Sequence, residues 1–179
     1  KVAVFDRNGK VLAAASGDYP VYYPHEGWAE QNPEEWWDAV CRATKETIQK
    51  ADITADEIAG IGIDGQSWSA IPIDREGNVL ANTPIWMDTR AQSICDRLNQ
   101  EIGQEEIFEV AGNSLQPSYS TAKILWYKEN LPEVYAKIHK ILQSNSYIAF
   151  KLTDAVTQDV SQGYGLHCFN MKKGCWDEK

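Results

Sequence analysis

No stretch of the chain approaches the ~18 consecutive apolar residues that a membrane-spanning helix requires, so a membrane is not expected as its medium. No cluster of Lys or Arg is present either. Only 17 basic residues stand against 26 acidic ones among 179, a formal charge of −9. That balance argues against nucleic acid or an anionic membrane surface as the main partner. Several chemical signatures are also missing: there is no G-x-x-x-x-G-K-[ST] phosphate loop, no H-E-x-x-H and no G-x-S-x-G. The three histidines (His25, His139, His167) are scattered, and their spacing pairs none of them with a nucleophile. The four cysteines form no C-x-x-C. Cys168 and Cys175 beside His167 match a metal site only weakly, so reduced thiols in a cytoplasmic protein are expected and no metal ligand is assigned.

What the chain does have is an ordinary globular composition, 43% hydrophobic and 24% charged, which excludes disorder and a collagen-like fibre. Its surplus is aromatic. Seven tryptophans point to a large core, a stacking surface for a ligand, or both. The length suits one domain. The first residues, Lys1-Val-Ala-Val-Phe5, already read as a strand, and the closing Cys175-Trp-Asp-Glu-Lys179 reads as the entry to another element. A segment of something longer is therefore expected.

Residues 2–5 and 11–16 flank Asp6-Arg-Asn-Gly9, which predicts a hairpin with glycine at positive φ. Ile73-Asp-Arg-Glu-Gly-Asn-Val-Leu80 repeats the same turn chemistry. Asn32 as N-cap, Pro33 at the first helical position and Glu35 at the third predict a helix opened by a capping box. Its core stripe is expected at Trp37, Val40, Cys41, Thr44 and Ile48. Ile58-Ala-Gly-Ile-Gly-Ile63 reads as a buried strand running into Asp64-Gly-Gln-Ser-Trp68. A second helix is expected from Asp88 or Thr89, a third after Pro117, a short one from Pro132, a strand at 139–142 and a helix at 147–152. Mixed elements in this order predict an α/β domain with one layered core.

Polar and aromatic residues gather at the element ends: Gln66, Ser67 and Trp68 after the glycine-rich strand, Trp86, Asp88 and Arg90 in Ile85-Trp-Met-Asp-Thr-Arg90, and Ser118 with Tyr119 before the third helix. Strand ends are where open α/β sheets place ligands. Aromatic faces beside amide, hydroxyl and carboxylate groups suit a polyol, the ring covering C–H bonds while the polar groups meet hydroxyls. On these residues alone a second reading stays open, with Trp68 and Trp86 in the core and Asp88 capping its helix and paired to Arg90.

The runs Gly60-Ile-Gly-Ile-Asp-Gly-Gln-Ser-Trp68, Ile73–Leu80 and Pro84-Ile-Trp-Met-Asp-Thr-Arg90 resemble the FGGY carbohydrate kinases, nearest to their xylulokinase branch. His25-Glu-Gly-Trp-Ala-Glu-Gln-Asn-Pro-Glu-Glu-Trp-Trp37 and Ser118-Tyr-Ser-Thr-Ala-Lys-Ile-Leu-Trp-Tyr-Lys-Glu-Asn130 are similar to further family segments, with Tyr127 where the family prefers an aliphatic residue. Thr157–Ser161 and Gly174–Asp177 extend the likeness across the chain. The resemblance implies an actin-like, ribonuclease-H-like fold in two lobes and transfer of the ATP γ-phosphoryl group, with Mg²⁺, to a ketose such as D-xylulose. It implies that Gln66, Ser67 and Trp68 line the sugar pocket, that Trp86 packs on the sugar and that Ser118 and Tyr119 close another wall. Asp88 and Arg90 would support the pocket or touch the sugar. Residues 1–179 would then be a partial sugar-binding N-terminal domain, with Lys1 just after a missing phosphate turn. The catalytic Asp and the ATP-binding domain would lie elsewhere, leaving no catalytic residue here and a segment inactive alone.

Gly65-Gln-Ser-Trp-Ser69 departs from the Gly-Gln-Met-His-Gly usual in the xylulokinase branch, removing a hydrogen-bonding His and adding bulk at Trp68. This opens the choice of substrate to L-xylulose, ribulose, gluconate or glycerol. A non-catalytic sugar-binding module and a scaffold whose tryptophans are all core are the rival readings. An exposed hairpin edge also leaves room for a homodimer.

Overall fold

Two turns of the same chemistry bend the chain as expected. In the computed structural model, which describes residues 1–177, β1 (Val2–Phe5) pairs antiparallel with β2 (Val11–Ala15). The Asp6 carboxylate accepts from the N–H groups of Asn8 and Lys10 at 2.8 and 3.0 Å, and Gly9 sits at φ +81°. Asp74 does the same for Glu76 and Asn78 at 3.0 and 2.8 Å, with Gly77 at φ +84°. Each aspartate supplies the acceptor and each glycine the left-handed backbone.

Between the turns runs α1 (Pro33–Ala51), opened by the Asn32 side chain accepting from the Glu34 N–H at 3.0 Å. The expected capping box does not form, because the Glu35 carboxylate accepts instead from the Tyr22 hydroxyl at 2.6 Å. The buried face is Trp36, Ala39, Ala43 and Thr47, and the expected stripe of Trp37, Val40, Cys41, Thr44 and Ile48 is half-buried along its flank. Close approach explains the shift. The helix lies on β1 and β2, and a Cβ placed on Gly17 would stand 3.0 Å from the Ala39 Cβ, so the face in contact has to be small.

Farther along, β3 (Glu30–Gln31) pairs with β5 (Thr83–Pro84), and β4 (Ile71–Ile73) pairs with β6 (Lys140–Leu142), both antiparallel. Helices α2 (Gln92–Glu101), α3 (Gln104–Ala111), α4 (Ser120–Asn130), α5 (Pro132–Tyr135) and α6 (Ser144–Thr153) follow in order, and β7 (Phe169–Asn170) pairs with β8 (Cys175–Trp176). The closing run expected to enter another element is thus β8 up to Trp176, and its Glu178 and Lys179 lie outside the described residues. Helix α2 begins at Gln92 rather than at Asp88 or Thr89; the Asp88 carboxylate accepts from the Arg90 N–H at 3.0 Å in a turn ahead of the helix and from the Ala29 N–H at 2.6 Å.

The single layered core of the expectation is two clusters. One gathers Ala70, Ala91, Ile94, Cys95, Ile107, Leu115, Ala122, Trp126 and Tyr127; the other gathers Ala29, Trp36, Ile71, Ile73, Ile85, Leu142 and Tyr147. The division falls at the start of β4, where Ala70 belongs to the first cluster and Ile71 and Ile73, two residues apart on one side of the strand, to the second. Residues 58–63 also depart from expectation. They run outside any ladder among the described residues, and Ile61 is 71% exposed, so this segment is not a buried strand here. Gly60 and Gly62 leave one side of the segment bare, and among the described residues no neighbouring strand pairs with it.

Candidate functional site

The segment that follows residues 58–63 is held by a row of side chains from α4. Ser120, Lys123 and Tyr127 fall at i, i+3 and i+7 and share one face of that helix. The Ser120 hydroxyl donates to the Ser69 carbonyl at 3.0 Å, Lys123 Nζ to the Trp68 carbonyl at 2.7 Å, and the Tyr127 hydroxyl to the Ala70 carbonyl at 3.0 Å. All three side chains are buried. Tyr127, where the family pattern prefers an aliphatic residue, also donates to the Asn82 carbonyl at 3.2 Å. Burial pushes its phenol far above the ordinary range. The Lys123 ammonium is pulled down to about 7, chiefly by burial, with the Asp88 carboxylate opposing the shift and Arg90 adding to it.

Trp68 sits at φ +67°, a backbone conformation worth about 1–3 kcal/mol of strain for a residue with a side chain. Its N–H donates to Gln143 Oε1 at 3.0 Å, and its ring meets Tyr119 edge-on with centroids 4.6 Å apart. Tyr164 stands 6.4 Å from the same ring. Gly165 makes room for the indole, because a Cβ there would overlap Trp68 Cδ1. The Tyr119 phenol is pushed up to about 12 by burial and by its hydrogen bond to the Tyr164 hydroxyl at 3.4 Å. Gln66 Nε2 donates to Gln31 Oε1 at 2.9 Å, and its backbone carbonyl accepts from the Ser144 hydroxyl at 2.6 Å. Ser144, which holds the Gln66 carbonyl, is followed by Asn145 in the lining of a hollow of about 270 Å³, shared with Ile63, Ser146, Ala149, Thr157, Gln158 and Asp159. Amides, hydroxyls and one carboxylate face it, a set that can meet the hydroxyls of a polyol in directed hydrogen bonds.

Gln66, Trp68 and Tyr119 are thus brought into one neighbourhood, with Ser67 between the first two and Ser118 half-buried beside Tyr119. Asp88 and Arg90 are committed inward. Asp88 Oδ2 accepts from the Ala29 N–H at 2.6 Å, and Arg90 Nε donates to Asp88 at 2.9 Å. Arg90 Nη2 reaches Glu30 at 2.8 Å, while the guanidinium lies 3.9 Å from the Trp28 ring centre and 5.0 Å from that of Trp126. Both side chains are buried, so this charged group braces β3 against the 85–90 turn. Trp86 is 53% exposed, and no ring contact joins it to Trp68 or Tyr119 among the described residues. Trp36 and Trp126 are buried; Trp37 is half-buried, with Lys151 5.7 Å from its ring centre.

Sequence reasoning did not single out Lys123, Gln143, Tyr164 or Gly165. The polar spacing of Ser120, Lys123 and Tyr127 was the available signal. Gln143 and Tyr164 come from elements remote in sequence and carry no local mark. Among the described residues no three acidic, His or Cys side chains converge on a point that could hold a metal ion.

Comparison with known proteins bears on the whole of this chain. The model of the FGGY family of carbohydrate kinases, N-terminal domain, matches residues 1–179. The chain is 29% identical over 176 residues to the xylulose kinase of Bacillus subtilis, covering 98% of itself and 35% of that protein. It is 31% identical over 183 residues to the glycerol kinase of Thermococcus kodakarensis, covering 100% and 37%. Among solved structures, a xylulose-kinase-type enzyme from Brucella ovis superimposes with a TM-score of 0.91 at 28% identity, covering 97% of this chain and 35% of that one. Gluconate kinase from Lactobacillus acidophilus does so with a TM-score of 0.91 at 29% identity, covering 98% and 35%. The chain therefore spans little more than a third of the length of these relatives. Its fold is that of the N-terminal lobe of actin-like sugar kinases, as expected from the sequence.

Proposed function

This chain belongs to the FGGY family of carbohydrate kinases, whose N-terminal domain it matches throughout, and on that premise we propose that the protein carrying it phosphorylates a ketose such as D-xylulose at the expense of ATP. In this reading residues 1–179 are the sugar-side part of a two-lobe kinase. Gln66, Ser67, Trp68, Ser118 and Tyr119 line the sugar site, Trp86 packs on the sugar from the other side, and Asp88 with Arg90 supports the pocket from behind. The observation that carries the reading is Trp68, fixed in a left-handed backbone with its indole set against Tyr119 and with the polar Gln66 and Ser67 just before it in the chain. An aromatic plane next to directed polar groups recognises a sugar by its C–H face and its hydroxyls together.

ATP and Mg²⁺ are assigned mainly to the rest of the protein, which also supplies the general base. The residues described here offer no convergent carboxylates for the metal, and no step is assigned to this chain beyond binding and orienting the sugar. Phosphoryl transfer depends on positioning and on charge stabilisation by the metal, so this segment alone is expected to be inactive. Charge and hydropathy fit the reading. The net charge of −9 suits small polar substrates better than nucleic acid, and no helix among the described residues is long and apolar enough to cross a membrane. Cytoplasmic location and a homodimer belong to the same reading.

The test is ATP-dependent phosphorylation by the full-length protein across D-xylulose, L-xylulose, ribulose, gluconate and glycerol, with this segment alone as a control. We expect the highest kcat/KM with D-xylulose and no turnover by the segment. Preference for glycerol or gluconate would move the substrate assignment, and absence of turnover with any of the five would leave a sugar-binding module in place of a kinase.

A further inference from the structure

We infer that Lys123 and Gln143 are positioning residues for the sugar site, acting through the backbone of Trp68. The inference rests on the reading that Trp68 faces the sugar, and it adds two residues that no sugar contact would reveal.

Trp68 is held on both sides of its peptide backbone by buried side chains. Its carbonyl accepts from Lys123 Nζ at 2.7 Å and its N–H donates to Gln143 Oε1 at 3.0 Å. Neither side chain is accessible: Lys123 is 0% and Gln143 1% exposed. They come from separate elements, α4 and the residue before α6, so the two holds constrain Trp68 from different directions. Gln143 reaches further, because its Nε2 donates to the Gln162 carbonyl at 3.1 Å. Gln162 lies in the 160–165 turn that also presents Tyr164 and the Gly165 on which the indole rests. One glutamine therefore ties the Trp68 backbone to the turn that receives its ring.

A lysine is a costly choice for such a place. Methionine would fill much the same space without the desolvation of an amine, so what the amine adds is direction. The direction matters because a tryptophan at φ +67° keeps that conformation only where its surroundings over-determine it. Without the hold, the backbone relaxes towards ordinary dihedrals and the indole leaves its position between Tyr119 and Gly165. The cost is then read at the sugar, not at the nucleotide.

The test is a double-mutant cycle in the full-length protein with Lys123→Met, Trp68→Gly and the pair together. Kinetics are joined by the ¹⁹F resonance of Trp68 in protein grown on 5-fluorotryptophan. Lys123→Met is expected to raise the KM for the sugar about tenfold while the KM for ATP and kcat stay within about twofold. The double variant is expected to be no worse than Trp68→Gly alone, because both losses run through the same residue. The Trp68 resonance is expected to shift in Lys123→Met before any sugar is added. Losses that multiply in the double variant, or an unchanged sugar KM in Lys123→Met, would overturn the inference. If Trp68→Gly leaves the sugar KM unchanged, the reading of Trp68 at the sugar fails, and the sugar-free resonance still decides whether Lys123 positions it. Should Lys123→Met not fold, Gln143→Met removes the other hold and carries the same expectations.

Discussion

Helices α1 and α4 are each fastened by a short row of buried residues, and the two rows are built from opposite chemistry. On α1 the contact is small and apolar: Ala39 and Ala43 lie close on the hairpin, with Gly17 against Ala39. On α4 it is polar: Ser120, Lys123 and Tyr127 each donate to a carbonyl of residues 68–70. The first face fastens a scaffold and depends on close packing. The second fixes the dihedrals of a short irregular segment, and only directional bonds can do that. The strained segment at residues 68–70 is held by hydrogen bonds, the hairpin by contact.

Three measurements in the full-length protein test whether contact outweighs hydrogen bonding. The largest effect is expected for Ala39→Leu, whose extra bulk has no space against Gly17. Destabilisation near 3 kcal/mol in urea unfolding is expected, at the upper end for overpacking, with little change in the KM for the sugar. Tyr127→Phe should come next at about 2 kcal/mol, because the Ala70 and Asn82 carbonyls lose their donor while the shape stays the same. A loss at Tyr127 larger than that at Ala39 would reverse the ranking of contact over bond. The smallest effect is a pH dependence. Lys123 titrates near 10.5 when unfolded and at about 7 when folded, so between these values the unfolded chain binds more protons and stability rises with pH. The gain from this group between pH 7 and pH 8 should be about 1 kcal/mol, and it should vanish in Lys123→Met. Well below pH 7 both states hold the proton and the contribution is flat. A wild-type curve that runs parallel to that of Lys123→Met above pH 7 would show that the buried amine carries no such penalty.

Local signals were read well where the chemistry is local. Asp6 and Asp74 close their turns with bonds that reach no farther than four residues, so the same six-residue pattern yields the same geometry twice. Asn32 and Pro33 open α1 for a similar reason. Reading failed where a distant residue intervened. Tyr22 takes the Glu35 carboxylate that a capping box needs, and Asp88, which closes a turn on the Arg90 N–H, is held also by the Ala29 N–H and the Arg90 side chain, with the helix starting later at Gln92. The helical stripe of α1 was misplaced by one residue because apolar bulk marks Trp37, Val40 and Ile48, whereas the closest contact selects alanine. Within the candidate site, Gln66, Ser67, Trp68, Ser118 and Tyr119 were legible as a group of polar and aromatic residues at element ends. Lys123 and Gln143 were not, since their partners lie 55 and 75 residues away in sequence.

The chain by itself determined its family, its two aspartate–glycine turns, the start of α1 and the density of aromatic residues, all of which rest on contiguous or regularly spaced side chains. Only the tertiary structure decided what the tryptophans do. Trp28 and Trp126 flank Arg90 beside its buried ion pairs, Trp36 joins a core cluster, and Trp68 is locked in a left-handed backbone by an amine and an amide from two other elements. An indole has the same composition in each place; its role is set by which polar groups the fold brings to its backbone and its faces.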